Sequence, residues 1–242
     1  MSSTTEQTKK LIKGFEGLDT AGVSDALDKM DIHGQAIGIM PLVNYTSVVI
    51  GAAFTVKYVP AGKPAGTVGD YIDNVEQGDV IVIDNNGRLD CTVWGDILTQ
   101  YAGIRKIAGT VIDGVCRDVN KAIRDEYPIF SCGRFMRTGK DRVEVESINH
   151  TVNIGSVRVE PGDIVIADAS GVVIVPHKLA KEVAQIAHEI EKVESAIRQR
   201  ITAGDSIHEA REKLNYHTLQ RKNITGENDS LAENENDEGG NV

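Results

Sequence analysis

Three charged residues stand at spacings that suit metal-assisted chemistry on a small acid. Asp96 follows a glycine in "WGDIL", and Arg117-Asp118 closes "DGVCRD", with twenty residues between Asp96 and Arg117. Two carboxylates can offer oxygens to one hard divalent cation such as Mg²⁺ while leaving positions for water and substrate. A guanidinium beside them can meet a carboxylate through two parallel N–H bonds. A keto acid chelating such an ion would be polarised toward its enolate, with the ion acting as a Lewis acid. A helix opening at Asp96 would also present its first N–H groups, around Ile97 and Leu98, to an anion. Taken singly, each feature has a plain alternative: Asp96 as a helix N-cap, and Arg117-Asp118 as a surface ion pair. Taken together they point to a site.

The elements that must position these residues are legible in the apolar pattern. "GDVIVIDNNG" (78–87) and "GDIVIADASG" (162–171) align without gaps, each reading as a turn, a short buried strand and a second turn. Strands apolar on both sides suit a sheet covered on both faces. Between these stretches, "DILTQYAGIR" reads as a helix from Asp96, "TVIDGV" as a strand, "VNKAIRDEY" as a short helix and "PIFSCG" as another strand. Arg117 and Asp118 then emerge from a strand end, where α/β proteins place ligand sites. Upstream, 5–27 has a helical pattern with Thr20 or Ser24 as N-cap of a second helix, and "SVVIGAAFTVKYV" is a strand broken or bulged at Gly51. "DRVEVESINHTVNIGSVRVEPGD" alternates as strands of a partly exposed sheet. From His177 to Thr202, Leu179, Val183, Ile186, Ile190, Val193, Ile197 and Ile201 form one apolar helical stripe, with Pro176 before it and Gly204 after it.

Composition narrows the class. The 242 residues are 40% hydrophobic but only 5% aromatic, so aliphatic side chains must fill the core. The formal charge of −10 argues against a nucleic-acid binder that neutralises phosphates. Six of the acids fall in 223–242 without a Lys or Arg, so the rest carries only −4. That Asn/Glu/Asp/Gly-rich segment has little to bury and is expected to be a disordered tail after a single domain over 1–222. Three cysteines without zinc-type spacing (Cys91, Cys116, Cys132) read as reduced thiols of a cytoplasmic protein. The N-terminus has no apolar leader-like run, and no stretch is long and apolar enough to span a bilayer.

Other residues carry weaker signals. "PAGKPAG" is not a phosphate loop, because Pro64 stands where Ser or Thr is required. The histidines lack ligand spacing, and Cys116 has no histidine nearby in sequence, so it reads as core packing. Ser24, Asp25 and Thr55 read as cap and strand residues.

The segment "GDVIVIDNNGRLDCTVWGDILTQYAGIRKIAGTVIDGVCRDV" resembles the signature block of the family containing class II 4-hydroxy-4-methyl-2-oxoglutarate aldolases and the regulator of ribonuclease activity A proteins. "PGDIVIADASGVVIVP" resembles the same family's later strand-turn-strand block, and the likeness runs over about 17–204. In the aldolase branch an Asp precedes Arg-Asp by twenty residues, as Asp96, Arg117 and Asp118 do here. The resemblance implies a three-layer β/β/α domain of the swivelling type with a C-terminal helix, assembled as a homotrimer or homohexamer. It implies that Asp118 ligates a divalent cation (Mg²⁺ or Mn²⁺), that Asp96 acts through a metal-bound water, and that Arg117 binds pyruvate and steadies its enolate. The backbone at Gly95, Ile97 and Leu98 would hold the pyruvyl carboxylate. An acid from a neighbouring subunit's C-terminal helix, Glu194 first and Glu191 second, would complete the metal site. Arg88 occupies a position that is often basic in the family. Lys121 departs from the pattern, standing where the family often has an acid.

The activity implied is retro-aldol cleavage of a 4-hydroxy-2-oxo dicarboxylic acid to pyruvate and a second carbonyl compound, with oxaloacetate decarboxylation as a side activity. The same family also implies two other roles: a non-catalytic regulator that binds a ribonuclease, or a lyase acting on a sugar-derived keto acid. The Asp-x20-Arg-Asp element favours catalysis, since a pure binder has no need of it.

Overall fold

Alternation of side chains on buried strands builds the molecule in layers. The computed structural model describes residues 6–214 and residue 216. In chain order the elements are helices α1 (Glu6–Lys13) and α2 (Thr20–Lys29), then strands β1 (Met40–Pro41), β2 (Val49–Pro60) and β3 (Val80–Thr92). Helix α3 (Asp96–Arg105), strand β4 (Gly109–Cys116), helix α4 (Val119–Arg124) and strand β5 (Ile129–Arg134) follow. Next come β6 (Val143–Ile148), β7 (Val152–Ile154), β8 (Val157–Val159), β9 (Ile164–Asp168) and β10 (Gly171–Val175), and helices α5 (Ala180–Thr202) and α6 (Ile207–Lys213) close the described chain.

One sheet has the order β1-β5-β4-β3-β2-β9-β10, with β6 also paired to β2. Its centre, β2 to β5, is parallel, and β1, β6, β9 and β10 add antiparallel pairs. Neighbouring residues along each strand face opposite sides. On β3, Ile81 and Ile83 pack with Trp94, Ala102 and Tyr127 on the side of α3 and α4. Val80 and Val82 face the other way, onto Val152, Ile154, Val157 and Val159 of the separate β7–β8 hairpin. The same division holds on β9, where Ile164 and Ile166 meet Phe15, Leu27, Val183 and Ile190, while Val165 and Ala167 face the hairpin. Hairpin, sheet and helices are therefore three layers of a single α/β domain with a C-terminal helix, the β/β/α arrangement expected. Asp84 and Asp113, register partners on β3 and β4, tie the hairpin down by accepting the Asn153 and Gly155 N–H groups, each at 3.2 Å.

The two aligned stretches begin alike: Gly78 and Gly162 take φ of +86° and +89°, each turning the chain into a buried strand. They end differently, because β3 runs on to Thr92 while β9 stops at Asp168 and turns back as β10.

Several expectations need correction. Gly51 neither breaks nor bulges β2. It is needed because a Cβ there would lie 2.4 Å from the Gly78 carbonyl oxygen, and the irregularity falls instead between Lys57 and Tyr58, opposite β6. The N-cap of α2 is Asp19, which accepts from Gly22 N, rather than Thr20 or Ser24. Thr20 instead donates its N–H and hydroxyl to Asp168, at 2.9 and 2.7 Å. The C-terminal helix starts at Ala180 after a 3-10 turn over His177–Leu179, and the last member of its stripe, Ile201, is 41% exposed. Helix α6 was not anticipated; a reciprocal Ser206–Glu209 capping box starts it. The acidic 223–242 segment lies outside the described residues. Among the described residues no helix is long and apolar enough to cross a membrane.

Candidate functional site

The strand ends of β3 and β4 bring Asp96, Arg117 and Asp118 together. Trp94, 1% exposed, stacks on Tyr127 with ring centroids 6.0 Å apart and planes 5° from parallel. Its indole N–H donates to the Thr99 hydroxyl at 2.9 Å, and that hydroxyl donates to the Gly95 carbonyl at 3.0 Å. The start of α3 is thereby fixed to the core two residues from the solvent-exposed Asp96.

Two hydrogen bonds then join this turn to the end of β4. Arg117 N–H donates to the Trp94 carbonyl at 3.0 Å, and Asp96 N–H donates to Asp118 Oδ2 at 3.3 Å. The same Oδ2 sits 3.2 Å from Arg117 Nε. Asp118 holds φ at +56°, a left-handed conformation that costs a non-glycine residue and concentrates at functional sites. Its side chain is 40% exposed, so the carboxylate faces solvent.

Gly95 explains the glycine before the acid. A Cβ there would stand 2.9 Å from Asp118 Oδ2 and 3.3 Å from Arg117 Nε. The glycine therefore leaves room for the carboxylate and guanidinium to approach the helix start. Gly95 is itself the residue preceding the helix, and Asp96 is the first helical residue, so Asp96 is not the N-cap. One expectation shifts here. The Ile97 N–H donates to Asp96 Oδ1 at 2.9 Å, so an anion arriving at this amide would displace the Asp96 carboxylate.

A cleft of about 250 Å³ is lined by Gly95, Asp96, Ile97, Leu98 and Arg117 together with Thr138, Gly139 and Lys140. Arg117 also lines an adjoining cleft of about 260 Å³ with Asp118, Arg134 and Met136. The stretch from Thr138 to Lys140 was missed in the sequence. It is placed by contacts from distant residues: Thr92 N–H donates to the Arg137 carbonyl at 2.9 Å, and Thr92 and Thr138 form a parallel bridge. At Gly139 a Cβ would lie 2.3 Å from the Thr92 carbonyl oxygen, so the loop lies flat on β3. The sequence signal was a lone glycine in "RTGK", which marks a turn but not what it touches.

The remaining candidates fall elsewhere. Glu194 and Glu191 line a third cleft of about 560 Å³ with Glu16, Asp25 and Arg198. Arg198 pairs with Glu191 and, at 3.5 Å, with Glu194. Within one chain Glu194 is thus not gathered with Asp96 and Asp118. Arg88 is held by Asp90 at 2.5 Å and lies outside these clefts, and Lys121 pairs with Asp125 one turn along α4. Cys116 is fully buried in the core, and burial pushes its thiol pKa up, as packing requires. His188 meets the Gly14 carbonyl at 2.9 Å and His177 the Thr8 hydroxyl at 3.4 Å, both bracing α5. Thr55 donates to the His150 carbonyl at 2.6 Å.

Among the described residues no three His, Cys, Asp or Glu side chains form a cage for an ion. The bond from the Asp96 N–H to Asp118 Oδ2 brings these two acids to one strand-end site, and the absence of a side chain at Gly95 leaves Asp118 Oδ2 its room there. That donor set fits a hard, partly hydrated divalent cation, which is commonly bound through one or two carboxylates with water completing the shell.

The sequence and fold have recognisable relatives. The family described as RraA-like, Aldolase/RraA, matches residues 20–174. Protein DlpA of Legionella pneumophila is 39% identical over 210 residues, 85% of this chain; the match spans 34% of DlpA, so this chain corresponds to about a third of that relative. A Halalkalibacterium halodurans protein, named as a candidate 4-hydroxy-4-methyl-2-oxoglutarate aldolase, is 33% identical over 72% of this chain and 80% of its own. The crystal structure of an uncharacterized protein from Pseudomonas syringae pv. tomato superposes with a TM-score of 0.78 and 42% identity, covering 84% of this chain and 97% of that one.

Proposed function

The chain belongs to the Aldolase/RraA family, and on that premise we propose that it is a divalent-metal-dependent pyruvate aldolase. Its substrate is a 4-hydroxy-2-oxo dicarboxylic acid of the 4-hydroxy-4-methyl-2-oxoglutarate type, cleaved to pyruvate and a second carbonyl compound in the cytoplasm. Oxaloacetate decarboxylation is a side activity, because it passes through the same pyruvate enolate. The observation that carries this reading is the joining of two loops: Asp118 Oδ2 accepts the Asp96 N–H and forms an ion pair with Arg117 at the mouth of one helix.

Asp118 would hold the cation directly and Asp96 through a water, with Glu194 of a neighbouring subunit in a homotrimer or homohexamer as the third acid. When bound, such an ion supplies Lewis-acid polarisation of a chelated keto acid. The rest falls to the chain. Arg117, fixed by its N–H bond to Trp94 and by Asp118, presents its guanidinium to the cleft and opposes the negative charge that develops as the C3–C4 bond breaks. The first amides of α3, at Ile97 and Leu98, take the substrate's carboxylate, with the helix dipole adding to the attraction. Asp96 then gives up its bond to the Ile97 N–H and is released toward water. Because Trp94 and Thr99 are buried, these groups are held in place before substrate arrives.

The family's other role, binding a ribonuclease without catalysis, needs neither the carboxylate pair nor the glycine that makes room for it. The test is a panel of 4-hydroxy-2-oxo acids, oxaloacetate included, incubated with the protein and Mg²⁺ or Mn²⁺, with pyruvate read through lactate dehydrogenase. Pyruvate release dependent on the metal supports the aldolase; no pyruvate from any of them defeats it and leaves the regulator.

A further inference from the structure

Lys140 is the cleft cation whose charge the site described above does not use. It is exposed and lines the same cleft as Arg117, Ile97 and Leu98. Arg117 is balanced by Asp118 at 3.2 Å, whereas Lys140 makes no salt bridge among the described residues. The loop carrying it is nevertheless well braced. Gly139 presses on Thr92, and its carbonyl accepts the Arg142 and Val143 N–H groups at 2.8 and 2.9 Å. Lys140 N–H donates to the Thr138 hydroxyl at 3.2 Å, and the Arg142 guanidinium donates to the Thr138 and Lys140 carbonyls at 3.3 and 3.2 Å. A flexible ammonium on a fixed backbone, beside a cleft proposed above to take one carboxylate at the start of α3, suits a second anionic group on the same ligand.

We propose that Lys140 binds the distal carboxylate of the substrate and selects dicarboxylic over monocarboxylic keto acids. This rests on the keto-acid reading of the cleft. Helix α3 and Arg117 take the pyruvyl end, which every substrate shares, and Lys140 meets the far end, which only a dicarboxylate has. It is therefore a specificity residue and takes no part in breaking the bond.

Binding tests the idea without turnover. With Mg²⁺ present, titrate wild type, Lys140→Met and Lys140→Arg with 2-oxoglutarate and with 2-oxopentanoate, its analogue with a methyl in place of the distal carboxylate. A hydrogen bond to a charged group corresponds to a preference of about tenfold to a hundredfold. Wild type should show that preference for the dicarboxylate. Lys140→Met should bring the two affinities to within about twofold by weakening only 2-oxoglutarate, and Lys140→Arg should keep part of the difference. A Lys140→Met protein with its preference intact, or a wild type with no preference, overturns the inference while leaving the keto-acid site standing. A wild type that binds neither acid refutes that site, and this inference with it.

Discussion

Gly95 and Gly139 line the same cleft, and replacing each with alanine should have opposite consequences. At Gly95 the backbone is extended, with φ −150° and ψ −167°, so alanine adds no backbone strain. Its Cβ would lie 2.9 Å from Asp118 Oδ2, where ordinary contact begins at 3.4 Å. The atom in the way is the end of a half-exposed side chain, which can move by about 0.5 Å at little energetic cost to the fold. Stability should therefore change by less than about 1 kcal/mol. Function should not be spared, because a misplaced carboxylate loses metal affinity by about tenfold to a hundredfold and a comparable factor in turnover. At Gly139 the obstacle is the Thr92 backbone carbonyl, 2.3 Å from the added Cβ, with Val143 Cγ2 at 2.8 Å. The carbonyl cannot step aside without bending β3, and the Val143 methyl is fixed at the start of β6, so Gly139→Ala should cost about 1–3 kcal/mol. The assay is paired: Mg²⁺ affinity by titration calorimetry and unfolding by urea for both variants. A Gly95→Ala protein with wild-type Mg²⁺ affinity, or one that unfolds earlier than Gly139→Ala, would refute the reasoning.

Two further outcomes follow from buried titratable groups. Asp168, where α2 is pinned to β9, is pushed up by burial, but hydrogen bonds from Thr20 and Ser170 outweigh this and hold its carboxyl below the usual range. Asp168→Ala should cost about 2–4 kcal/mol at pH 7, read as a lower urea midpoint at unchanged slope. A group with a depressed pKa stabilises above its unfolded value and loses that contribution as pH falls, so the gap between wild type and variant should narrow below about pH 4. A gap that widens in acid contradicts the assignment. The Cys132 thiol is pushed up to about 11, first by burial and then by the nearby Asp113 carboxylate, and Cys91 and Cys116 are raised by burial as well. Native protein at pH 8 should react with iodoacetamide far more slowly than urea-unfolded protein, and fast labelling of the native state would contradict the burial.

What was legible in the sequence was local. The start of α3 at Asp96, the strand that delivers Arg117 and the stripe of α5 all rest on periodicity and on glycine and acid spacing within a dozen residues. Two kinds of feature escaped. Glycines chosen for a distant backbone look the same as turn glycines, so Gly51 was misread as a bulge and Gly139 drew no notice; the atoms they touch belong to Gly78 and Thr92. Groups with competing partners also escaped. Thr20 looked like a cap yet donates to Asp168, and the Ile97 amide looked free yet is taken by Asp96. Lys140 shares the first problem, since its position depends on a bridge between Thr92 and Thr138, 46 residues apart. Spacing brought Asp96, Arg117 and Asp118 into one site, but the second side of the cleft came only from the fold.

The central claim is that Arg117 and Asp118 form the working end of a pyruvate-releasing site. Its most direct test is the rate of pyruvate release from 4-hydroxy-4-methyl-2-oxoglutarate, with Mg²⁺ present, by wild type and by Arg117→Ala. The side chain is part-exposed, so the variant should keep wild-type circular dichroism and unfolding midpoint. The account predicts metal-dependent release by wild type and a loss of about a hundredfold to a thousandfold in the variant, the scale seen when a principal charge-stabilising group is removed. An Arg117→Ala protein that retains most of the wild-type rate would contradict it.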